Sequence, residues 1–163
     1  MVKFTEIAPQ VIDTEAKIMH QWMYDHDKDM HPNMKKLSKR AIMIYGDDQY
    51  EILRYLYRKV NRHFQSIYPT LEFPGGGVRF IEKSIPANNN EIWEDFQQPC
   101  HTQTMVLRRM LIETGFNPDH VVYVTNWIGG VPHQYMKVKI NDAWYDVDVW
   151  AKDYGVEFGD HWE

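Results

Sequence analysis

A chain of 163 residues has the length of one ordinary domain, enough to bury roughly two-thirds of the surface it would expose unfolded. With 44% hydrophobic and 14% aromatic residues it also has the apolar surface that disordered chains lack. Its net charge of -5 is spread along the sequence, with no basic block to bind phosphates, no apolar run near the roughly 20 residues that span a bilayer, and no apolar centre of a secretory signal in Met1 to Gln10. A soluble, cytoplasmic, single-domain protein is therefore expected, with neither nucleic acid nor membrane as partner.

From Val11 to about Asp27, the apolar residues Val11, Ile12, Ala16, Met19, Trp22 and Met23 recur at helical spacing, with Asp13 or Thr14 placed to cap. His26 to Ser38 is polar, contains His31-Pro32-Asn33 and reads as a connection; Lys35 to Tyr45 fits either a short helix or a strand. Asp47 or Asp48 can cap a second helix running to about Ser66, with Ile52, Leu53, Leu56, Val60 and Phe64 as its apolar stripe, and Pro69 closes that segment. Pro74-Gly75-Gly76-Gly77 reads as a turn before a possible strand at Val78 to Ile81, and Pro86 to Asn90 as a polar loop. The glycines lack the Lys-Ser/Thr ending of a phosphate loop.

A helix from Cys100 to Thr114 follows, with Gly115 where a C-terminal glycine cap belongs. Beyond Pro118 come three β-rich runs: Val121 to Trp127, Gln134 to Ile140 and Ala143 to Trp150, the last two joined at Asn141-Asp142. Helices followed by an antiparallel meander make the fold class α+β.

A single cysteine excludes an internal disulfide and the multi-thiolate zinc sites of structural modules. Cys100 is thus either buried filler or a reactive thiol. It follows Pro99 at the start of a helix, where unpaired N–H groups favour a thiolate. Such a nucleophile needs an imidazole to take its proton and a partner to hold that imidazole. His133 stands at the opening of one strand, and Asp148 lies on the next strand across a tight turn, so the two should be near neighbours.

These residues resemble the transglutaminase-like superfamily of thiol acyltransferases and peptidases. There the cysteine starts a helix that ends in an arginine-containing turn and a glycine, matched by Cys100, Arg108 or Arg109, and Gly115. The histidine is followed two positions on by an aromatic residue, then by a hairpin, a tryptophan and an aspartate, matched by His133, Tyr135, Trp144 and Asp148. The resemblance runs from Pro99 to Trp150. Gln98 replaces a residue that is often small, and Val149-Trp150 replaces Pro-Thr.

The resemblance implies a papain-like or transglutaminase-like fold and a Cys100–His133–Asp148 triad acting on peptide or protein amides through a thioester, with no cofactor and no metal. The oxyanion would be held by the Cys100 N–H and a second donor among Gln97, Gln98 and Trp93, with Tyr135 near the substrate. Two other readings stand beside it: an inactive peptide- or protein-binding module on the same fold, and a mononuclear zinc site formed by Cys100, His133, Asp148 and His101. His101 otherwise reads as a surface residue, Asp146 as the residue most easily mistaken for the triad's third member, and Trp144 as a core anchor. The remaining histidines show no metal-ligand spacing. Most Tyr, Trp and Met residues read as core or groove lining.

Overall fold

The computed structural model describes residues 4–67 and 88–163. In chain order it comprises β1 (Phe4–Thr5), α1 (Thr14–His26), α2 (Pro32–Tyr45), α3 (Gln49–His63), β2 (Gln65–Ser66), α4 (Asn89–Glu94), β3 (Gln97–Gln98) and α5 (Cys100–Glu113). After α5 come a 3-10 turn (Pro118–His120), β4 (Val121–Ile128), β5 (Val131–Ile140), β6 (Ala143–Val147) and a second 3-10 turn (Trp150–Tyr154). This is an α+β arrangement. The expected turn at Pro74 to Gly77, the strand at Val78 to Ile81, Pro69 and the start of the Pro86 to Asn90 loop lie outside the described residues.

Local chemistry sets the helix boundaries. Asp13 caps α1 by accepting from the Ala16 N–H, and Asp48 caps α3 by accepting from the Glu51 N–H. Three sequence expectations need correction. His31-Pro32-Asn33 is a helix start and not part of a connection: Pro32 occupies the first turn, where its missing N–H costs nothing, and the His31 ring accepts from the Asn33 N–H. Asn88 and Asn89 likewise begin a helix instead of continuing a loop, because the Asn88 side chain accepts from the Glu91 N–H. The second helix also ends at His63, and Gln65–Ser66 leaves it to pair in parallel with Gln97–Gln98.

The larger sheet has the order β1-β6-β5-β4 and every pairing in it is antiparallel. Gly129 and Gly130, with φ of 58° and 81°, join β4 to β5; Asn141 and Asp142, with φ of 50° and 68°, join β5 to β6. Successive left-handed residues give the two-residue turns whose twist matches that of paired strands. The glycines therefore make a tight hairpin, and Val131 and Pro132 belong to β5 itself.

Alternation along the strands separates two faces. Val121, Tyr123, Met136, Val138 and Val147 face the helices and join Leu53, Leu56, Val60, Met105, Leu107 and Leu111 in one buried cluster. The opposite face carries His133, Tyr135, Lys137 and Asp146.

Beneath the core's edge, the Asp27 carboxylate accepts from Arg108 Nη1 at 2.7 Å, Arg109 Nη2 at 2.8 Å and Asn89 Nδ2 at 2.6 Å, tying α1's end to α4 and α5. Arg108 also donates to the Val121 carbonyl at 2.7 Å, which fixes α5 against β4. Removing one member of a buried ion pair leaves an uncompensated charge. Asp27→Ala should therefore cost about 3 to 5 kcal/mol in urea unfolding, whereas Asp13→Ala, which loses only a helix cap, should cost about 1 kcal/mol.

Candidate active site

Cys100 opens α5 behind Pro99, which makes no side-chain cap, and the first-turn N–H groups, which have no intrahelical carbonyl to bond, favour an anion there. Cys100 is 6% exposed and belongs to an apolar cluster with Trp150 and Ala151, against which Val156 and Trp162 pack. The Gln134 N–H points at its sulfur across 3.5 Å. The His101 and His133 rings are the groups that act most strongly on its ionisation.

His133, 2% exposed, lies within β5 and not at its opening, because Val131 and Pro132 already pair with Ile128 and Trp127. Its Nε2 meets Asp148 Oδ2 at 2.6 Å, which leaves Nδ1 for the sulfur. Asp148 stands one residue past β6, at the bend into the second 3-10 turn. Its Oδ1 accepts from the Ala151 N–H at 3.3 Å, and its Oδ2 also accepts from the Trp162 N–H at 2.9 Å. The three residues that the sequence singled out thus form a series: sulfur, imidazole, carboxylate.

Burial alone would push the Cys100 thiol up, but hydrogen bonds from His101 and His133, with their positive charge, bring it down to about 6. Burial would likewise push His133 down, but its bonds to Asp148 and Cys100 and their negative charges raise it to about 10. Between those limits the favoured state is a thiolate beside an imidazolium. That state supplies a nucleophile and a proton donor together.

The structure also separates Asp148 from Asp146. Asp146 Oδ2 meets His161 Nδ1 at 2.8 Å and its Oδ1 meets Lys137 Nζ at 3.2 Å, so it is engaged away from His133. Trp144 is buried, with Lys139 over its ring. Tyr135 lies parallel to the His161 ring at 4.5 Å and to His133 at 6.1 Å, on the triad's face of the sheet.

The side chains considered as second oxyanion donor have other partners. Gln98 Nε2 donates to the Ile92 and Asp95 carbonyls, and its Oε1 accepts from Thr102, so this amide holds the turn before α5. Trp93 stacks on His63 at 3.6 Å within the core. Gln97 is exposed and donates to Gln65 Oε1 at 3.4 Å.

His101 corrects the surface reading. It is 3% exposed and meets the Trp22 ring edge-on at 6.1 Å. Adjacent helix residues do point apart, but every residue from Cys100 to Arg108 is buried, so both directions lead inward. Among the described residues no group of three or more His, Cys, Asp and Glu side chains is arranged to hold a metal ion. Cys100, His133 and Asp148 lie in line instead of around a common centre.

Several neighbours carried no sequence signal. Gln134, on β5's other face, accepts through Oε1 from Thr125 Oγ1 at 2.6 Å, and Thr125 Oγ1 lies 2.7 Å from His20 Nε2. The Thr125 proton is committed to Gln134, so His20 must donate from Nε2. Gln103 Nε2 donates to Ser66 Oγ, which donates to the Trp150 carbonyl. Trp162 meets the His133 ring edge-on at 5.5 Å. These contacts join residues 20 to 162 in space, and no local spacing announces them.

No protein-family model matches the chain, and no curated protein matches it. A solved structure, the crystal structure of a TGase, is similar with a TM-score of 0.52 at 12% identity over 93% of this chain. This chain spans 36% of the length of that one. The likeness at that identity is one of fold: helices and an antiparallel sheet arranged as in a TGase. Among the described residues no helix is long and apolar enough to cross a membrane.

Burial holds His20 down to about 4, only partly offset by hydrogen bonding to Gln134. Below about 6.5 the unfolded chain takes up a proton at this site that the folded chain refuses, so stability is lost as pH falls from there through about 4. His20→Gln, which keeps a donor for Thr125, should lose less stability than the parent between pH 7 and pH 4.5 in urea unfolding.

Proposed function

We propose that the protein is a cysteine-dependent acyl-transfer enzyme acting on peptide or protein amides, by hydrolysis or transamidation through a thioester. The observation that carries this reading is the His133 ring held by Asp148 at 2.6 Å while the N–H of the next residue, Gln134, points at the Cys100 sulfur across 3.5 Å, which sets imidazole and sulfur side by side. Asp148 fixes the ring's orientation and stabilises its charge; it does not itself need to move a proton.

The Cys100 thiolate attacks the amide carbon, and the carbonyl π pair moves onto oxygen. That oxyanion sits at the start of α5, beside first-turn N–H groups that lack an intrahelical carbonyl, Cys100's own among them. Collapse expels the amine, which takes its proton from His133, and leaves a thioester on Cys100 with a neutral imidazole. Water or a second amine then attacks as His133 removes its proton, and the thiolate leaves with the electron pair of the broken C–S bond. The similarity in fold to a TGase supports this chemistry without fixing the substrate.

The deep burial of all three side chains favours a second reading, a peptide- or protein-binding module that keeps the constellation without turnover. The two differ in whether an acyl group is ever transferred to sulfur. p-Nitrophenyl acetate should add one acetyl group to Cys100, visible by intact mass, in the parent and not in Cys100→Ala; no acetyl-enzyme under any condition would favour the binding module.

Alkylation tests the activation. Iodoacetamide should label Cys100 with a rate that rises through pH 6 in the parent. His133→Ala should move that rise toward the ordinary thiol range and slow labelling at pH 6.5 by more than about tenfold. Superimposable profiles would sink the proposal.

A further inference from the structure

We propose that residues 160–162 occupy the groove over the triad as a substrate peptide would, so that the chain is closed by its own segment and accepts an extended peptide with an aromatic side chain beside the sulfur. This rests on the acyl-transfer reading and adds a substrate class to it.

The segment is bound to the site the way a ligand is. Both peptide groups of Trp162 are held by side chains: its N–H donates to Asp148 Oδ2 just past β6 at 2.9 Å, and its carbonyl accepts from Asn126 Nδ2 on β4 at 2.7 Å. Its indole fills the space between His133, at 5.5 Å and 86°, and Trp150, at 5.4 Å, against the apolar patch containing Cys100. One residue earlier, His161 Nδ1 meets Asp146 Oδ2 at 2.8 Å while its ring lies parallel to Tyr135.

The anchor and the lid are separate. Phe158 packs into the main core, 4.9 Å from Tyr57 and 5.9 Å from Tyr50. Beyond it, the side-chain hydrogen bonds and ring contacts just described are among those that seat His161 and Trp162, and each of them is of a kind that an incoming peptide can replace. The cover is effective, since Cys100 is 6% and His133 2% exposed. Clefts of about 510 Å³ at Arg109 and about 390 Å³ at Tyr24 are lined by neither residue.

Displacement would leave the Asn126 amide for a substrate carbonyl, Asp148 for a substrate N–H, and the aromatic slot between Trp150 and His133 for a side chain. An extended peptide offers those three features within a single residue, spaced as in Trp162 itself. Asp148 meanwhile keeps the Ala151 N–H and His133, so the triad does not depend on the segment for its orientation.

The test reads access to the sulfur at pH 8, above the range in which Cys100 ionises. Asn126→Ala and His161→Ala each release a different tether, and each should speed iodoacetamide labelling of Cys100 by about fivefold, the scale of one net hydrogen bond. A synthetic peptide of residues 157–163, added at millimolar concentration, should slow labelling of the His161 variant, whose Asn126 amide is intact, back toward the parent, and the same peptide carrying Trp162→Ala should not. A misfolded variant would label fast but would not be protected. Unchanged or slower labelling in both variants, or protection indifferent to the tryptophan, overturns the proposal. Failure of the triad reading shows separately, as an unchanged pH profile in His133→Ala.

Discussion

A carboxylate buried as deeply as that of Asp148 needs donors to replace the water it has lost. It finds them in three parts of the chain: the His133 ring on β5, the Ala151 N–H in the turn that follows β6, and the Trp162 N–H in the segment crossing the sheet's face. Each bond fixes one element against another. The bond to Ala151 bends the chain after β6 so that Trp150 lies beside His133, 5.3 Å between ring centroids. The bond to His133 leaves the ring's other nitrogen for the sulfur at the start of α5. Asp146, two residues away, makes a different set of bonds to Lys137 and His161 and stays out of that geometry.

The register of the sheet carries the same constraint. His133 pairs with Asn126, and the β5–β6 pairing runs from Ile140 opposite Ala143 to Met136 opposite Val147. Asp148 therefore emerges beside the His133 end of β5 because the hairpin at Asn141-Asp142 sets that register. A slip of one residue would put His133 on the core face and Gln134 on the triad's face. The two left-handed residues of the turn are thus as necessary to the site as the residues that line it.

Much of this was legible because it is local. The helix at Cys100, the turn at Asn141-Asp142 and the spacing of His133 and Asp148 depend on neighbours in sequence, and propensity and periodicity report such features. What was missed is either inverted punctuation or long-range. Pro32 begins a helix although proline more often ends one, and Asn88 caps a helix although asparagine runs usually mark loops. His101 looked exposed because a helix is normally amphipathic, whereas α5 is buried on nearly every side through Arg108. Trp162, Asn126 and Gln134 meet the triad only through tertiary contacts, with nothing in their spacing to mark them.

The sulfur and the imidazole also explain each other's state. Burial by itself drives a thiol and an imidazole toward their neutral forms, yet here both shifts run the other way, the thiol's through His101 and His133 and the imidazole's through Asp148 and Cys100. Low exposure strengthens the attraction and the hydrogen bonds between them, and these offset the desolvation that disfavours both charges. The aromatic cover from Trp150 and Trp162 is therefore part of the electrostatics and not only of the packing. Any ligand that displaces Trp162 has to shut water out as well as the indole does. An apolar, aromatic group meets that requirement where a small polar one would leave the thiolate solvated and its proton less firmly held by His133.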